Sequence, residues 1–495
     1  MEIISLIMEY ISSMGTMLFA ALILSLPALA TIHVLMTRDE PRAAMAWFGF
    51  VWFVPVLGVA FYLLFGMKRI ERRARLQRLR QGLEPRPGLL SGPKGIILQD
   101  ILPKVGSHWQ MHSVLSERVC HFSLATDNNL TLLPTGQAAY KAMIDSIDAA
   151  SASIALSSYI FQADEAGEKI VEALIRAKAR GVEIRVLIDA VGNWYGFKPV
   201  SKRLRKHNIK VAFFNPARLS WRLAFFNLRT HRKILVIDGM QGFVGGMNIR
   251  KYHISDPQGV LKVRDTHFKI TGSAVGQLMY SFADDWAYST SEVLTGSTWF
   301  PENLPPSAVK AESNMLVRSI PDGPDSDERK TMLVLASAVS AAQKFIYIQT
   351  PYFVPGETLL LELKQAAMRG VKVCLLLPRR SNLRFVDWAS WVTYRSLMSA
   401  GVIIKHGAAP FDHSKLMAVD DIWAMIGSSN WDSRSLLLNF EFNMEIYDAA
   451  FSKTIKNRIK DNAKDAITLT EKDIQARPWY RILRDKFVWL ASPYL

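Results

Sequence analysis

An internal duplication limits the folds open to this chain more than any other feature of its sequence. A stretch that ends in Gly181 and continues into the apolar run 182–188 is matched by a stretch that ends in Gly370 and continues into the run 371–377. Each copy reads as a helix, a C-capping glycine and a buried strand. Strands that alternate with helices predict an α/β sandwich around a mixed sheet in each half.

Both halves carry the same polar motif. Counted from a histidine, each copy has lysine at +2, aspartate at +7, glycine at +14 and asparagine at +17. The candidate catalytic residues are His231, Lys233 and Asp238 in the first half and His413, Lys415 and Asp420 in the second. Asn248 and Asn430 are candidate phosphate-binding residues, and Gly245 and Gly427 complete the repeated pattern. A single match of the first three positions arises by composition in roughly a few per cent of chains this long. Two copies that also share the glycine and asparagine offsets are not expected by chance.

The spacing also predicts how the side chains are arranged. Residues two apart in a strand point to one face, so His231 and Lys233 should project together. Asp238 stands at an odd offset and precedes Gly239, which suits the turn of a hairpin. We therefore interpret Asp238 and its counterpart Asp420 as structural, with direct catalysis as the alternative. The return strand would bring Asn248 and Asn430 back toward the histidines, where an amide can donate to a phosphate oxygen.

Charge and cysteine content restrict the partners and cofactors. Lys and Arg number 60 against 44 Asp and Glu, and the net charge of +16 predicts an anionic partner: nucleic acid, an acidic lipid surface or a phosphate-bearing substrate. Cys120 and Cys374 are too few for a disulfide framework or a cysteine-rich metal site, which indicates a reducing compartment. No cluster with metal-ligand spacing stands out, and two lysines can replace a divalent ion. We expect neither a metal nor another cofactor.

The N-terminal region predicts a membrane hairpin. The stretches 14–36 and 43–67 carry no charged side chain, and each exceeds the roughly 20 residues that cross a hydrocarbon core. Two buried core helices are the alternative. Six basic residues follow Lys68 up to Arg80 and place this side of the membrane in the cytoplasm by the positive-inside rule. The two arginines in the short loop between the stretches argue weakly for the opposite orientation.

Longer strings around the motifs identify a family. Arg232-Lys233 with Ile237-Asp238-Gly239, the run Gly245–Ile249, and the run Gly427–Ser435 followed by Asn439-Phe440-Glu441 resemble the phospholipase D superfamily, and within it the bacterial cardiolipin synthases. The likeness extends from the hairpin to near the C-terminus. It implies two tandem phospholipase D-like α/β sandwich halves with a shared active site, preceded by an N-terminal two-helix transmembrane hairpin. It also implies a multi-pass protein of the bacterial inner membrane with cytoplasmic catalytic halves.

The resemblance further implies a two-step transfer through a phosphohistidine. By family analogy His231 is the nucleophile and His413 the acid and base, a choice that the symmetry of the sequence does not make. The two lysines and two asparagines of the motifs would hold the nonbridging oxygens. Each imidazole also needs an acceptor for its other nitrogen. Asp265 at +34 and Glu445 at +32 are the predicted orienting carboxylates, with ordinary strand-surface charges as the alternative.

Three functions remain open at this point. The family likeness favours transfer between two phosphatidylglycerol molecules in the bilayer, which yields cardiolipin and glycerol. The alternatives are hydrolysis of a lipid or nucleic-acid phosphodiester through the same intermediate, and a catalytically inactive, membrane-tethered binding protein. Intact motifs argue against the last, and the hairpin argues against a diffusible nuclease, so we expect no nucleic-acid partner. Phosphatidylethanolamine as the donor and the oligomeric state are left open.

The chain is thus divided into four regions. They are the transmembrane hairpin 1–67, the basic juxtamembrane linker 68–110, the first phospholipase D-like half 111–300 and the second half 301–495. A proline-rich stretch with Pro301, Pro305 and Pro306 is the predicted linker between the halves. Two segments that mix aromatic and basic residues, 216–229 and 479–495, are either interfacial elements near the membrane or core-packed segments.

Overall fold

A computed structural model describes residues 21, 24–37, 41–63, 106–192, 199–215, 229–256, 258–301, 315–323 and 329–492. Three predictions fall mainly on other residues: the basic linker 68–110, the segment 216–229 and the proline-rich linker after residue 301. The chain divides into a small unit, to which the described residues up to 63 belong, and a large unit that holds the other described residues.

The small unit consists of helices that pack through apolar side chains. Helix α1 covers residues 24–37, and α2 (Pro41–Phe53) and α3 (Pro55–Phe61) follow with a break at Val54, where Pro55 begins the next helix. The buried side chains are Ala30, Val34, Val51, Val59 and Tyr62. In the described part of the chain, no helix combines the length and the apolar character that crossing a bilayer requires.

The first half of the large unit alternates strands and helices as the sequence predicts. After α4 (Ser107–Cys120), its elements are β1 (Ala125–Leu133), α5 (Gly136–Ala149), β2 (Ser153–Ser158), α6 (Glu165–Ala179), β3 (Glu183–Asp189), α7 (Val200–Lys206), β4 (Lys210–Phe214), β5 (Ile234–Ile237), β6 (Gln241–Gly245), β7 (Val263–Arg264), β8 (His267–Thr271) and α8 (Val275–Thr290).

The second half repeats this order and adds elements at its C-terminal end. They are β9 (Met315–Asp322), α9 (Lys330–Ala341), β10 (Phe345–Gln349), β11 (Phe353–Val354), α10 (Glu357–Met368), β12 (Lys372–Pro378), α11 (Arg384–Ser399), β13 (Ile403–Gly407), β14 (Phe411–Asp412), β15 (Leu416–Val419), β16 (Trp423–Gly427), β17 (Trp431–Asp432), α12 (Ser433–Leu437), β18 (Glu441–Tyr447), α13 (Ala449–Asn462), β19 (Ile467–Thr468), α14 (Glu471–Gln475) and α15 (Trp479–Trp489).

Fifteen of the described strands form one continuous mixed sheet, and the other four pair as β11 with β17 and β14 with β7. The order is β4-β3-β2-β5-β6-β8-β1 in the first half, followed by β9-β18-β16-β15-β10-β12-β13-β19 in the second. The halves join where β1 pairs antiparallel with β9. Within each half, the strands after the crossover helices pair in parallel and the motif hairpin pairs antiparallel. The two predicted sandwiches are therefore present, but their sheets are fused edge to edge.

The halves also share their hydrophobic core. Phe282 and Trp286 on α8 pack in the same buried cluster as Phe440, Phe442 and Phe451 of the second half. Helix α4, which crosses the boundary predicted at residue 111, places Trp109 in the core of the second half. Burial of large aromatic side chains across the junction makes separation of the halves costly. The active-site segments are therefore held on one rigid sheet.

Candidate active site

The two motif histidines lie in extended segments just before β5 and β15. The strand expected to contain them begins one residue after each lysine, at Ile234 and Leu416, because each segment leaves the sheet to bind the opposite half. The backbone N–H of His231 donates to the carbonyl of Phe440 at 2.7 Å, and that of His413 donates to the carbonyl of Arg264 at 2.8 Å. Each histidine is thus anchored by the half to which it does not belong.

This exchange brings the two imidazoles together. Their ring centroids are 6.5 Å apart and the rings are nearly perpendicular, at 84°. Both residues are buried, with 9% of His231 and 6% of His413 exposed. A gap of this size between two rings suits a phosphodiester whose phosphorus contacts one imidazole and whose ester oxygen contacts the other.

Each imidazole binds a carboxylate from the other half. The Nδ1 of His231 lies 2.9 Å and 3.0 Å from the two carboxylate oxygens of Glu441, and the Nδ1 of His413 lies 2.9 Å from Oδ2 of Asp265. Asp265 was a predicted orienting residue, and it does contact a histidine, although the one from the other half. A carboxylate acceptor fixes the proton on Nδ1 and leaves the lone pair on Nε2.

The prediction that Glu445 orients a motif histidine is wrong. Its buried carboxylate accepts hydrogen bonds from Arg318 at 2.7 Å and from the indole of Trp423 at 2.9 Å, and it lies 3.1 Å from Nε2 of His112. These contacts belong to the core behind the sheet. Glu441, which the sequence reasoning passed over, takes the orienting position.

Loop length explains the error. Gly245 pairs with His267 in the first half, and Gly427 pairs with Asn443 in the second. Asp265 and Glu441 each precede the paired residue by two positions, so they are structural equivalents. The connection from glycine to partner is six residues longer in the first half, so a search at equal offsets from the histidines found the wrong glutamate.

The motif glycines make room for this arrangement. A Cβ on Gly246 would lie 2.9 Å from Oδ1 of Asp265 and 3.1 Å from the carbonyl oxygen of His413. A Cβ on Gly427 would lie 2.4 Å from the side-chain oxygen of Asn443. Any side chain at these positions would displace the strand that carries the carboxylate.

Burial sets the protonation of the site. It lowers the pKa of His231 to about 4, although the charge of Glu441 opposes this effect. Burial, together with the charge of Lys415, lowers the pKa of His413 well below its usual value. For Glu441, burial acts upward, but the neighbouring His231 and Lys233 lower its pKa overall. At neutral pH the site therefore holds two neutral imidazoles, and His231 faces an ionised Glu441.

The motif lysines lie beside the rings. The Nζ of Lys415 is 3.1 Å from Nε2 of His413 and donates to the carbonyl of the same residue at 2.6 Å. The Nζ of Lys233 donates to the carbonyl of His231 at 2.5 Å and lies 5.5 Å from the centre of the Tyr159 ring. Burial lowers the pKa of Lys415 to about 8 and that of Lys233 well below its usual value. A bound anion would reverse both effects.

Each motif asparagine makes a side-chain hydrogen bond within its own half. The Oδ1 of Asn248 accepts from the backbone N–H of Ile160 at 3.2 Å. The amide of Asn430 donates to Ser435 at 3.0 Å, and its Oδ1 has no hydrogen-bond partner among the described residues. Donation from these amides to a phosphate stays a prediction.

Asp238 and Asp420 lie in the hairpin turns, as the sequence predicts. Asp238 accepts from the backbone N–H groups of residues 151, 152 and 153 at 2.8–2.9 Å. Asp420 accepts from those of residues 343, 344 and 345 at 2.7–2.8 Å. Each carboxylate thus fixes the start of the neighbouring strand, at the end of the hairpin strand away from the histidine. These contacts agree with a structural role.

Two tyrosines were also missed. The ring of Tyr159 meets the imidazole of His231 edge-on with centroids 5.4 Å apart, and Tyr352 meets His413 in the same way at 6.1 Å. The duplicated strings Ser157–Phe161 and Gln349–Phe353 each contain one of these tyrosines, Tyr159 at the third position and Tyr352 at the fourth. The repeat was thus a signal that could have found them.

The described residues contain no group of three or more histidine, cysteine, aspartate or glutamate side chains that could hold a metal ion. His267, two residues after Asp265, has an Nδ1 atom without a hydrogen-bond partner in the described part of the chain, and burial lowers its pKa to about 4. It forms part of the buried sheet and has no matching ligands beside it.

Comparisons with known proteins point to one family. A family model described as cardiolipin synthase, PLD-like domain, matches residues 143–286 and 335–462, and one described as phospholipase D-nuclease N-terminal matches residues 4–66. A cardiolipin synthase of Geobacillus sp. (strain WCH70) is 33% identical over 92% of this chain and 89% of its own length. The major cardiolipin synthase of Bacillus subtilis is 30% identical over 94% of this chain and 96% of its own length.

Among solved structures, a phosphatidylserine synthase of Haemophilus influenzae has the same fold. It is 17% identical, with a TM-score of 0.58, and covers 78% of this chain and all of its own. The prediction of two tandem phospholipase D-like halves is thereby confirmed. With both histidine motifs at one buried site and relatives matched over nearly their full length, the chain belongs to the cardiolipin synthase family of the phospholipase D superfamily.

Proposed function

We propose that the protein transfers a phosphatidyl group from one phosphatidylglycerol to another, which forms cardiolipin and releases glycerol. One observation carries the proposal: two buried imidazoles face each other at 6.5 Å, and each is held through Nδ1 by a carboxylate of the opposite half. Both Nε2 atoms are therefore left for chemistry on a phosphorus between them.

In the first step, Nε2 of His231 attacks the phosphorus of the donor lipid. The P–N bond forms while the bond from phosphorus to the glycerol oxygen breaks, and Nε2–H of His413 protonates the departing oxygen. In the second step, His413 takes the proton from a terminal hydroxyl of the second phosphatidylglycerol. The freed oxygen attacks phosphorus and the P–N bond breaks, which regenerates His231 and completes cardiolipin.

Binding of the substrate favours the protonated form of His413 that the first step needs. In the empty site, burial holds His413 neutral, whereas an acid must carry a proton. A phosphodiester anion bound within a few ångström raises the pKa of a nearby imidazole and of both lysines, because the charged forms gain a partner. Binding of the anion thus favours a site that holds one protonated imidazole as the acid, one neutral imidazole as the nucleophile and two charged lysines.

The lysines and asparagines of the motifs can stabilise negative charge on the phosphate oxygens. Lys233 and Lys415 lie beside the two rings and can offset the charge that develops on the nonbridging oxygens. Because Oδ1 of Asn248 is engaged by a backbone N–H, the NH2 group of that amide is the part that can donate to an oxyanion. Asn430 takes the equivalent place in the second half.

Product analysis tests the proposal. Purified protein is incubated with phosphatidylglycerol as the only lipid, and the products are identified by mass spectrometry. Cardiolipin and glycerol are expected, with phosphatidic acid as a minor product, because the second lipid presents its hydroxyl at high effective concentration in the bilayer. Added glycerol should drive the reaction backward, since transfer between similar esters is near thermoneutral. Mainly phosphatidic acid, insensitive to glycerol, would identify a phospholipase instead.

We also propose that residues 1–67 anchor the protein as a helical hairpin, with the catalytic halves in the cytoplasm. The uncharged stretches and the basic cluster after Lys68 support this topology. The indole of Trp52 also donates to Thr31 at 2.9 Å and thereby joins α2 to α1. Cysteines introduced in place of Asp39 and beyond Arg80 test it. Labelling from outside the cell is expected at the first site only, and labelling at the second only would reverse the orientation.

A further inference from the structure

The C-terminal helix α15 carries an apolar stripe that faces away from the protein. Trp479, Leu483, Phe487 and Leu490 recur at helical spacing, and they are 75%, 60%, 74% and 69% exposed. The opposite side of the helix carries Asp485 and Val488, which pack on the large unit. A soluble surface rarely exposes so many large apolar side chains in one stripe. We call these four residues the α15 stripe.

Helix α15 is firmly attached, so this exposure is a property of the fold. Arg477, just before this helix, and Arg484 within it stack on Trp391 and Trp388 of α11, with 3.9 Å and 4.1 Å from guanidinium carbon to ring centre. The same two arginines form ion pairs with the buried Asp485. The inner face of α15 is thus fixed by cation–π and ionic contacts. The stripe contributes nothing to that attachment.

The charges beside the stripe select an anionic partner. Arg481 and Lys486 on α15 are exposed, as are Arg379, Arg380 and Arg384 around the start of α11. The one acidic residue between Trp479 and Leu490 is Asp485, which is buried and neutralised by its arginines. An apolar stripe with a tryptophan at each end of the helix and exposed cations beside it fits a lipid surface that carries negative charge.

The inner face of α15 leads toward the active site. Val488 packs with Val354, Val386 and Tyr352 in one apolar cluster, and the ring of Tyr352 meets that of His413 at 6.1 Å. Because α15 and α11 run antiparallel, the end of α15 with Phe487 and Leu490 lies beside the start of α11, where Leu383 and Phe385 are also exposed. The exposed apolar surface therefore borders the wall of the catalytic site.

We propose that the α15 stripe docks in the interface of an anionic bilayer and holds the mouth of the active site against the membrane. Docking there lets a phospholipid headgroup reach His413 while its acyl chains stay in the bilayer. The proposal goes beyond the transfer reaction, and its measurement does not depend on turnover. It can therefore fail while the proposed function holds, and the reverse is also possible.

Fluorescent labels in the full-length protein test this docking. Single Leu483→Cys and Phe487→Cys variants are labelled and reconstituted in vesicles of phosphatidylcholine with phosphatidylserine; the native Cys120 and Cys374 are buried. Met368→Cys is the matched control, because Met368 on α10 is 73% exposed and apolar. A nitroxide on the acyl chains is expected to quench the labels on α15 about threefold more than the control label, and aqueous iodide should quench them less.

A second variant separates the lipid surface from other occupants of the stripe. Arg481→Gln combined with Lys486→Gln should lower the nitroxide quenching of the label at position 487 to its level in vesicles of phosphatidylcholine alone. Equal quenching of all three labels would overturn the proposal. Protection from iodide without quenching by the lipid nitroxide would also overturn it, because a second copy of the chain or another protein segment would then cover the stripe.

Discussion

The two halves hold equivalent histidines with different sets of contacts. At the histidine of the first half, Glu441 binds His231 with both oxygens and is itself fixed by the hydroxyl of Ser428 at 2.6 Å and the amide of Asn439 at 3.2 Å. At the histidine of the second half, Asp265 binds His413 with one oxygen, and Lys415 lies 3.1 Å from the ring nitrogen that faces the site. His231 is thus the more tightly oriented ring, and His413 the ring closer to a cation.

The residue after each histidine also makes more contacts in the first half than in the second. Arg232 is buried, donates to Asp285 at 2.8 Å and binds the backbone carbonyl of Glu441 at 3.0 Å. Its counterpart Ser414 makes a hydroxyl contact with Thr266 at 3.1 Å. A fixed ring suits in-line attack on phosphorus, whereas a ring whose protonation responds to a neighbouring charge suits an acid and base. The sequence motifs are symmetric and do not distinguish the two histidines. This difference in contacts supports the assignment of His231 as the nucleophile.

The largest expected effect comes from removal of either histidine. His231→Ala and His413→Ala should each lower turnover by on the order of 10⁵-fold, and the double variant should be little worse, because the two groups act as one unit. Rapid quenching of the reaction and peptide mapping should place the phosphoryl group on His231. With His413→Ala, the intermediate should accumulate if a donor with a good leaving group replaces phosphatidylglycerol, since such a donor needs no acid.

Two results would change the comparison of the halves. A phosphoryl group on position 413 would exchange the two roles. Near-normal turnover in either single variant would mean that the halves do not share one site.

A smaller effect is expected from the orienting carboxylates. Glu441→Gln and Asp265→Asn keep the shape of the side chain but remove the charge that holds Nδ1–H, so the rate constant for turnover should fall by on the order of 10²–10⁴-fold with little change in KM. If the first half depends more on orientation, Glu441→Gln should have the larger effect. Phosphohistidine formation and turnover are measured separately in each variant.

Glu445→Gln is the matched control. Glu445 lies four residues from Glu441 on the same strand, but its partners are Arg318, Trp423 and His112. The substitution should lower the temperature of unfolding, because it leaves Arg318 buried without a full counter-charge, and it should preserve turnover below that temperature. Loss of turnover equal to that of Glu441→Gln would return Glu445 to the site.

The turn aspartates should affect stability equally in the two halves. Asp238→Asn and Asp420→Asn retain a side chain that tolerates the left-handed backbone, where φ is 52° and 54°. Each replaces one carboxylate oxygen by an NH2 group that faces backbone N–H donors. Each should therefore destabilise the fold by about 1–3 kcal/mol, measured by denaturant unfolding, with turnover of the folded enzyme reduced less than about threefold. A loss of turnover without a loss of stability would make these residues catalytic.

The sequence predicted what repeats locally and missed what depends on contact between the halves. The offsets of lysine, aspartate and asparagine from each histidine lie within one hairpin, so strand geometry was sufficient to place Asp238 and Asp420 in turns. The carboxylate partners come from the opposite half, 210 residues from His231 for Glu441 and 148 from His413 for Asp265. No periodicity within one half reports such a contact. Because the loops differ by six residues, Glu445, at an offset similar to that of Asp265, is not the equivalent residue.

The fused sheet was missed for a related reason. Alternating strands and helices predict a sheet in each half, but the pairing of β1 with β9 depends on the two edge strands that the halves leave open. An exposed edge has unpaired N–H and C=O groups, and pairing with the equivalent edge of the other half satisfies both. The sequence shows that a chain has two similar domains, whereas the edges at which they meet follow only from the assembled sheet.

The smallest expected effect concerns a position where the halves differ in the core. Phe213 pairs with Ile188 between β3 and β4, and His406 pairs with Leu377 between β12 and β13. Ile188 follows Gly181 by seven residues and Leu377 follows Gly370 by seven, so His406 occupies the place of Phe213. Its ring is 6% exposed and packs against Trp391 and Tyr394, 5.6 Å and 5.8 Å away.

Acid should therefore weaken the second half through His406. Burial, and after it the charge of Arg379, lowers the pKa of His406 to about 4, against an opposing effect of Asp473. The unfolded chain, with a histidine pKa near 6.5, binds more protons between about pH 6.5 and pH 4, so stability is lost as the pH falls through this window and is unaffected above it.

His406→Phe should make the halves alike and reduce the loss of stability between pH 8 and pH 5 by about 2 kcal/mol. Denaturant unfolding at the two pH values measures this difference, with His207→Phe, at an exposed histidine of the first half, as the control that should leave the loss unchanged. If His406→Phe and His207→Phe lose the same stability on acidification as the parent chain, the imidazole of His406 is not the group that acid acts on, and the difference between the two cores is one of shape alone.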